Sequence, residues 1–297
     1  MMHSQVMGVN RLYIIGNGFD LFHEIASEYR HFATYLYKAN PSVFRMVGEY
    51  FSADLPFWAD FEQRLAEFDA DQAVDYASQF LDEKGYDDFQ YELEKIASGL
   101  SYVLRGHFSD WIRSLKIPSR STIAHPLIID PTSLFLNFNY TPTLEEVYDV
   151  PRGRILHIHG SAAEPAEELV FGHGWERRPE DSLNFKPEGP DDDWRVREGI
   201  EHIDDYFAAT FKPTAALINS NSAFFGSLSD IREVSIMGHG LAEVDEPYIE
   251  AIMDQVDLQK TQWTISVYDD REERKRLFGA YDIASHLVQY RLLSQFD

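Results

Sequence analysis

Apolar residues along this chain are spaced in two ways. Dense runs rich in β-branched and aromatic residues stand at 11–16, 133–139, 154–160, 168–172, 233–238 and 262–268, and each reads as a strand. From Ser27 to Ile117 the spacing changes to three or four, as at Phe57, Phe61, Leu65 and Phe68, which predicts a block of helices buried on one face. Helices are also expected from Trp194 to Phe211, after Pro213, and from Glu246 to Val256. Residues 177–194 carry Pro179, Pro187, Gly189, Pro190 and the run Asp191, Asp192, Asp193, the composition of a loop or flap. Strands alternating with helices predict an α/β fold with a mostly parallel, Rossmann-like sheet covered on both faces. The expected organisation is one unit over residues 1–297, with 27–117 as a helical insertion capping the sheet after the first βα unit and 177–212 as a flap and helical excursion.

The strand ends are as informative as the strands. Five of the six expected strands stop at Gly or Asn, and three of those stops lie beside His. Open α/β sheets bind ligands at the carboxyl ends of their strands. Gly16, Asn139, His159 and Gly238 are therefore expected around one site.

Composition narrows the chemistry. Cysteine is absent, which excludes disulfides, thiolate metal sites and a thiol nucleophile. The 26 Lys and Arg face 50 Asp and Glu, a formal charge of −24, so the overall field repels polyphosphate backbones and generic nucleic-acid binding is not expected. One stretch opposes that field locally, Arg105 to Arg120 with His107, Arg113 and Lys116 between them, and its alternative is a solvated helix face. No uncharged apolar run reaches the roughly 18 residues of a membrane span, and residues 1–10 lack a basic region followed by an apolar one. A cytoplasmic protein with no membrane segment is expected.

Four short motifs carry candidate chemistry. Gly16-Asn17-Gly18 lies between a strand and a helix, where glycines let the backbone approach a phosphate, although Leu21 replaces the third glycine of the dinucleotide fingerprint. A tight turn that binds nothing fits equally. Asp20 is placed to orient that loop, to touch a ligand hydroxyl, or to cap the helix. Asn137 and Asn139 bracket Phe138 at a strand end, where an amide holds a water or ribose hydroxyl or simply ties down the turn. His157 and His159 fall on one face if the strand continues, and Gly160 then turns the chain. His159 is a candidate general base, the two histidines a candidate metal pair, and the alternative is a satisfied structural pair. Gly238, His239 and Gly240 form a second loop of the ligand-approach kind, with Asp245 opening the next helix, and Gly172-His173-Gly174 repeats the pattern.

The run Ile14 to Leu21, the segment Asn137 to Glu145, His157 to Gly160, Phe171 to Gly174 and Met237 to Leu241 with Asp245 and Tyr248 resemble, in that order, the AbiH family of bacteriophage abortive-infection proteins. Trp58, Asp60 and Glu62 resemble a tryptophan–acidic signature of the same family. The resemblance spans nearly the whole chain and implies a phage-defence role more directly than any reaction. More distantly, the motif order is similar to sirtuin-like proteins, which implies NAD or a related nucleotide as ligand. In that likeness Gly16 and Gly18 face the pyrophosphate, Asn139 is the catalytic amide and His159 the base. Asn17, Asp20, Asn137, Gly160, Gly238, His239, Gly240 and Asp245 are the further nucleotide-contact candidates. Asn17 and Phe19 depart from the small residues of the sirtuin-like loop, Thr141 replaces an acid, and the four-cysteine zinc module of deacylases is missing. The implied reaction is hydrolysis of the nicotinamide–ribose bond with no metal. Two other classes stay open. One is a metal-dependent nuclease or phosphodiesterase built on His157, His159, His239, Asp20 and Asp245. The other is a nucleotide-responsive sensor, monomeric or oligomeric, whose helical block meets a phage or host protein trigger.

Overall fold

The computed structural model describes residues 9–51, 55–81, 88–185, 193–268 and 283–296, together with Lys275, Phe278, Gly279 and Tyr281. Along the chain come β1 (Arg11–Ile15), α1 (Asn17–Phe22), α2 (Tyr29–Ala39), α3 (Pro41–Tyr50), α4 (Leu55–Ala59), α5 (Phe61–Arg64) and α6 (Ala70–Ser78). Next are α7 (Asp88–Ser98) and α8 (Leu104–Ser114), joined through a π-helical turn at Gly99–Val103, and then β2 (Leu134–Asn137), α9 (Thr143–Tyr148) and β3 (Ile155–His157). The chain continues with α10 (Trp194–Thr210), α11 (Thr214–Ser220), α12 (Ser222–Gly226), β4 (Glu233–Met237), α13 (Glu246–Met253), β5 (Gln262–Val267) and β6 (Val288–Leu292).

Two compact units result. Unit 1 takes residues 1–27, 112–169 and 213–297, and unit 2 takes residues 28–111 and 170–212. Unit 1 holds a six-stranded sheet in the order β3-β2-β1-β4-β5-β6, every neighbouring pair parallel. This is the doubly wound order, whose direction of winding reverses between β1 and β4. Residues 12–15 of β1 are at most 3% exposed, because the central strand is covered on both faces. Leu12 and Ile14 pack with Tyr248, Ile249 and Ile252 of α13 on one face, while Tyr13 and Ile15 pack with Phe19, Leu144 and Val147 of α1 and α9 on the other.

Two strand assignments differ from the sequence pattern. The apolar run 168–172 joins no sheet. Leu169 and Phe171 are buried by packing, and the segment leads into an isolated bridge between His173 and Phe211. Its hydrophobicity therefore reports burial, not pairing. The edge strand β6 shows only partly exposed and exposed positions, so it lacks the dense apolar signature that marks the inner strands.

Unit 2 is built from two separated stretches of sequence. The residues of α7 meet α10, and their approach is close enough that a Cβ on Gly199 would fall 2.5 Å from a ring carbon of Phe89. Trp58, of the tryptophan–acidic signature, lies in an aromatic core with Phe32, Phe57 and Phe61. Asp60 is exposed at the N-cap of α5, whereas Glu62 accepts from the Tyr29 hydroxyl and pairs with the buried Lys212 at 3.1 Å. The part of the expected flap between 186 and 192 lies outside the described residues. None of the described helices is long and apolar enough to cross a membrane.

Three arginines of the basic stretch make contacts within the fold, while Lys116 is exposed. Arg105 donates to the Ala209 carbonyl, Arg113 to that of Glu167, and Arg120 lies 5.2 Å above the Tyr148 ring.

Glycines separate packing from propensity in unit 2. Gly199→Ala should cost about 1–3 kcal/mol through overpacking against Phe89. Gly48→Ala, exposed in α3 with nothing within 4 Å of the new Cβ, should gain up to about 1 kcal/mol. Urea unfolding of both variants checks the contrast.

Candidate functional site

The loops after β1 and β4 meet where the winding reverses. Gly16 donates its N–H to the Met237 carbonyl at 3.0 Å, and Gly18 donates to that of Gly238 at 2.8 Å. A Cβ on Gly16 would lie 2.4 Å from the His239 Cα, and one on Gly238 would lie 2.2 Å from the Phe19 nitrogen. Gly238 also has φ +67, a left-handed backbone that glycine adopts without strain. These glycines thus allow two loop backbones to touch each other. Gly160 behaves alike, with φ +90 and the Glu168 carbonyl 2.9 Å from any added Cβ. Gly240 is different: it is exposed and its Cβ direction is open.

Asp20 sits inside α1 and does not cap it. Its Oδ2 accepts from the Thr141 hydroxyl at 2.5 Å and its Oδ1 from the Thr143 hydroxyl at 2.8 Å. Burial pushes this carboxyl up to about 6, against the opposing hydrogen bonds from Thr141, Thr143 and Asn139. Asn139 also donates its amide to the Gly16 carbonyl at 3.1 Å, so the β2–α9 loop is tied to the β1–α1 loop at two points. Asn137 closes the turn by accepting from the Asn139 N–H at 3.0 Å. Asn17, although exposed, is bound back to Ser27 through both ends of its amide.

The two histidines of the third motif do not share a face. Strand β3 stops at His157, whose Nε2–H donates to Glu145 of α9 at 2.9 Å while Nδ1 meets Asn137 and Asn139. Past the strand end the chain turns. His159 then lies against the Phe138 and Tyr248 rings, with Nε2 3.3 Å from the Tyr248 hydroxyl. His239 packs edge-on to Phe138 with centroids 4.2 Å apart, so Phe138 stands between the two imidazoles. Nδ1 of His239 accepts from the Leu241 N–H, which leaves the proton on Nε2, 3.5 Å from Asp245. Asp245 occupies the N-cap position of α13 without a capping side-chain bond and faces His239. Leu241 itself has φ +55, a strained value for a branched residue.

The expected residues are therefore brought together, though mostly by bonding one another. Gly16, Asn139, His159 and Gly238 all follow carboxyl ends of β1 to β4, and His173 belongs instead to unit 2. Asn139 and His159 are 6% and 2% exposed, so core atoms are their neighbours. Burial pushes the His173 imidazole down to about 4, and Nε2 of this ring lies 3.2 Å from the Thr210 hydroxyl. Among the described residues no group of three or more His, Asp or Glu is placed to hold a metal ion. Phe138, Thr143 and Glu145 are the partners that motif reading passed over, and their signal was the unbroken run Asn137 to Glu145.

An all-parallel sheet in this order, with polar side chains gathered where the winding reverses, defines a Rossmann-like α/β protein. The family model for bacteriophage abortive infection AbiH matches residues 12–267, and the chain belongs to that family. It is accordingly a phage abortive-infection defence protein. No curated protein and no solved structure matches it.

Two measurements test this geometry. Gly16→Ala should destabilise by about 1–3 kcal/mol, whereas Gly240→Ala should stay within about 0.5 kcal/mol of wild type. Asp20 has its folded pKa raised from the ordinary 3.8 to about 6. Its proton-linked stability is thus complete below about 4 and is lost as pH rises through about 6. Relative to Asp20→Asn, the wild type should lose about 2 kcal/mol between pH 4 and 7, read by urea unfolding at each pH. A flat difference would show that the carboxyl is not shifted.

Proposed function

We propose that this defence protein binds NAD or a related nucleotide over the carboxyl ends of β1 and β4, and arrests the infected cell by hydrolysing the nicotinamide–ribose bond. The observation that carries the reading is the strand order, which places two glycine loops side by side at the switch point, the position where doubly wound sheets take nucleotides. Support comes from the distant sirtuin-like likeness in motif order, with Asn139 and His159 at the ends of β2 and β3. In the proposed step the bond from C1′ to nicotinamide breaks, a water oxygen bonds to C1′, and the water proton passes to His159. Asn139 orients the attacking water or the ribose hydroxyls.

Both side chains are buried, Asn139 bonded to the Gly16 carbonyl and His159 against Tyr248, so productive binding requires the loops over these strand ends to shift. Leu241, with its left-handed φ of +55, is the strained point of the β4–α13 loop. The burial of Asn139 and His159 favours a second reading, in which the nucleotide is held without turnover and the protein is a sensor.

Product analysis separates the two. Wild type incubated with NAD should release nicotinamide, and infected cells should lose NAD. His159→Gln keeps a polar group among the aromatic rings and should abolish release while retaining the fold, whereas His159→Ala should also lose about 2 kcal/mol or more to the cavity it opens. Growth arrest with NAD unchanged would falsify hydrolysis, and saturable NAD binding without release would establish the sensor.

A further inference from the structure

The amino-terminal half of the sheet in unit 1 carries a second feature that family membership does not assign. Over their first four residues strands β4, β5 and β6 alternate, with Val234, Ile236, Trp263 and Ile265 on the face toward α13 and polar residues on the other, until Met237 closes the opposite core. Parallel strands in doubly wound folds are ordinarily apolar on both faces. Register puts the polar positions in rows. Arg11 stands beside Glu233 and then Gln262, and Tyr13 stands beside Ser235, Thr264 and Gln289. These polar positions on β4 to β6 are partly or fully exposed. They line a cavity of about 220 Å³, bordered by Ile128 and Phe296. The cavity begins at the first residues of β1, β4 and β5, at the opposite end of the strands from Gly16 and Gly238.

Charge identifies what this cavity suits. Arg11 and Glu233 pair with each other, and Arg11 also donates to the Tyr13 hydroxyl at 3.2 Å, so that end is electrically neutral. Arg291 reaches the cavity from the edge strand, where its guanidinium donates to Gln289 at 3.0 Å, and among the described residues no carboxylate pairs with it. In a chain of formal charge −24, a lining cation with no acid beside it stands out. The neighbouring hydroxyls and amides both donate and accept, as a polyol requires. A planar guanidinium with free donors matches a phosphoryl group.

We propose that this cavity is a second ligand site that takes a small phosphorylated sugar, with Arg291 on the phosphoryl group and Ser235, Thr264 and Gln289 on the hydroxyls. The site is independent of the nucleotide reading and stands if that reading fails.

Calorimetry on the full chain with ribose 5-phosphate tests it, with ribose, inorganic phosphate and adenosine 5′-monophosphate alongside. Ribose 5-phosphate should bind below about 1 mM, and ribose and phosphate alone at least about tenfold more weakly. Arg291→Gln, at an exposed position, should weaken ribose 5-phosphate binding at least about tenfold, and Thr264→Val about threefold or more, with melting temperatures confirming that both variants fold. Adenosine 5′-monophosphate binding that falls in parallel with Arg291→Gln would extend the site to the phosphopentose of a nucleotide. No binding of ribose 5-phosphate up to about 10 mM, binding unchanged in Arg291→Gln, or inorganic phosphate binding as tightly as the sugar phosphate would overturn the proposal.

Discussion

At the switch point two loop backbones lie so close that no side chain fits between them. Gly16, Gly18 and Gly238 each present a bare Cα to the other loop, and the Gly18 N–H to Gly238 carbonyl bond continues the β1–β4 ladder beyond the strands. Everything at the carboxyl edge takes its place from this contact. It fixes where α1 begins, hence where Asp20 points, hence where the β2–α9 loop is tied. It also sets His239 beside Phe138, from which the aromatic stack runs to His159 and Tyr248.

The ties that radiate from this contact are polar and buried, which makes them demanding. A carboxylate removed from water costs several kcal/mol unless its lone pairs are filled, and Asp20 meets that requirement with two threonine hydroxyls and an amide. Such a network contributes little net stability, but it penalises every arrangement in which one donor is missing. The edge is thus held in one geometry by the cost of leaving it. That rigidity leaves the β4–α13 loop as the segment with an open glycine and a strained backbone.

Much of this was legible in the sequence, for reasons that also mark where legibility stops. Strands β1 and β2 sit in apolar runs because their neighbours bury them, and β4 and β5 keep a buried apolar residue at every second position. Edge strand β6 is half polar and left no comparable signal, while Leu169 and Phe171 imitated a strand through packing alone. The gathering of Gly and Asn at strand ends located the edge correctly. What it could not distinguish is the object of a glycine's close approach, since a phosphate and a neighbouring loop demand the same missing Cβ. The common face expected for His157 and His159 assumed that β3 runs on, and the strand ends at the first of them. Lys212 pairs with Glu62 across a long stretch of chain, and no local pattern announces such a partner.

The strand order also has a consequence in time. The central strand of the sheet is the first to be synthesised, yet its two partners come much later: Leu12 pairs with Leu134, and Arg11 with Glu233, a separation of 222 residues. At the ordinary pace of translation, about 5–20 residues per second, β1 waits on the order of 10–45 s for β4 to exist. Until then the edge of β1 that pairs with β4, and its face toward α13, have no native cover, and α7 likewise waits for α10. A sheet wound from the middle outward therefore folds late and through non-local pairings, the class of topology that is intrinsically slow. The first strand made thus waits for both of its neighbours, and its pairing is complete only once β4 exists.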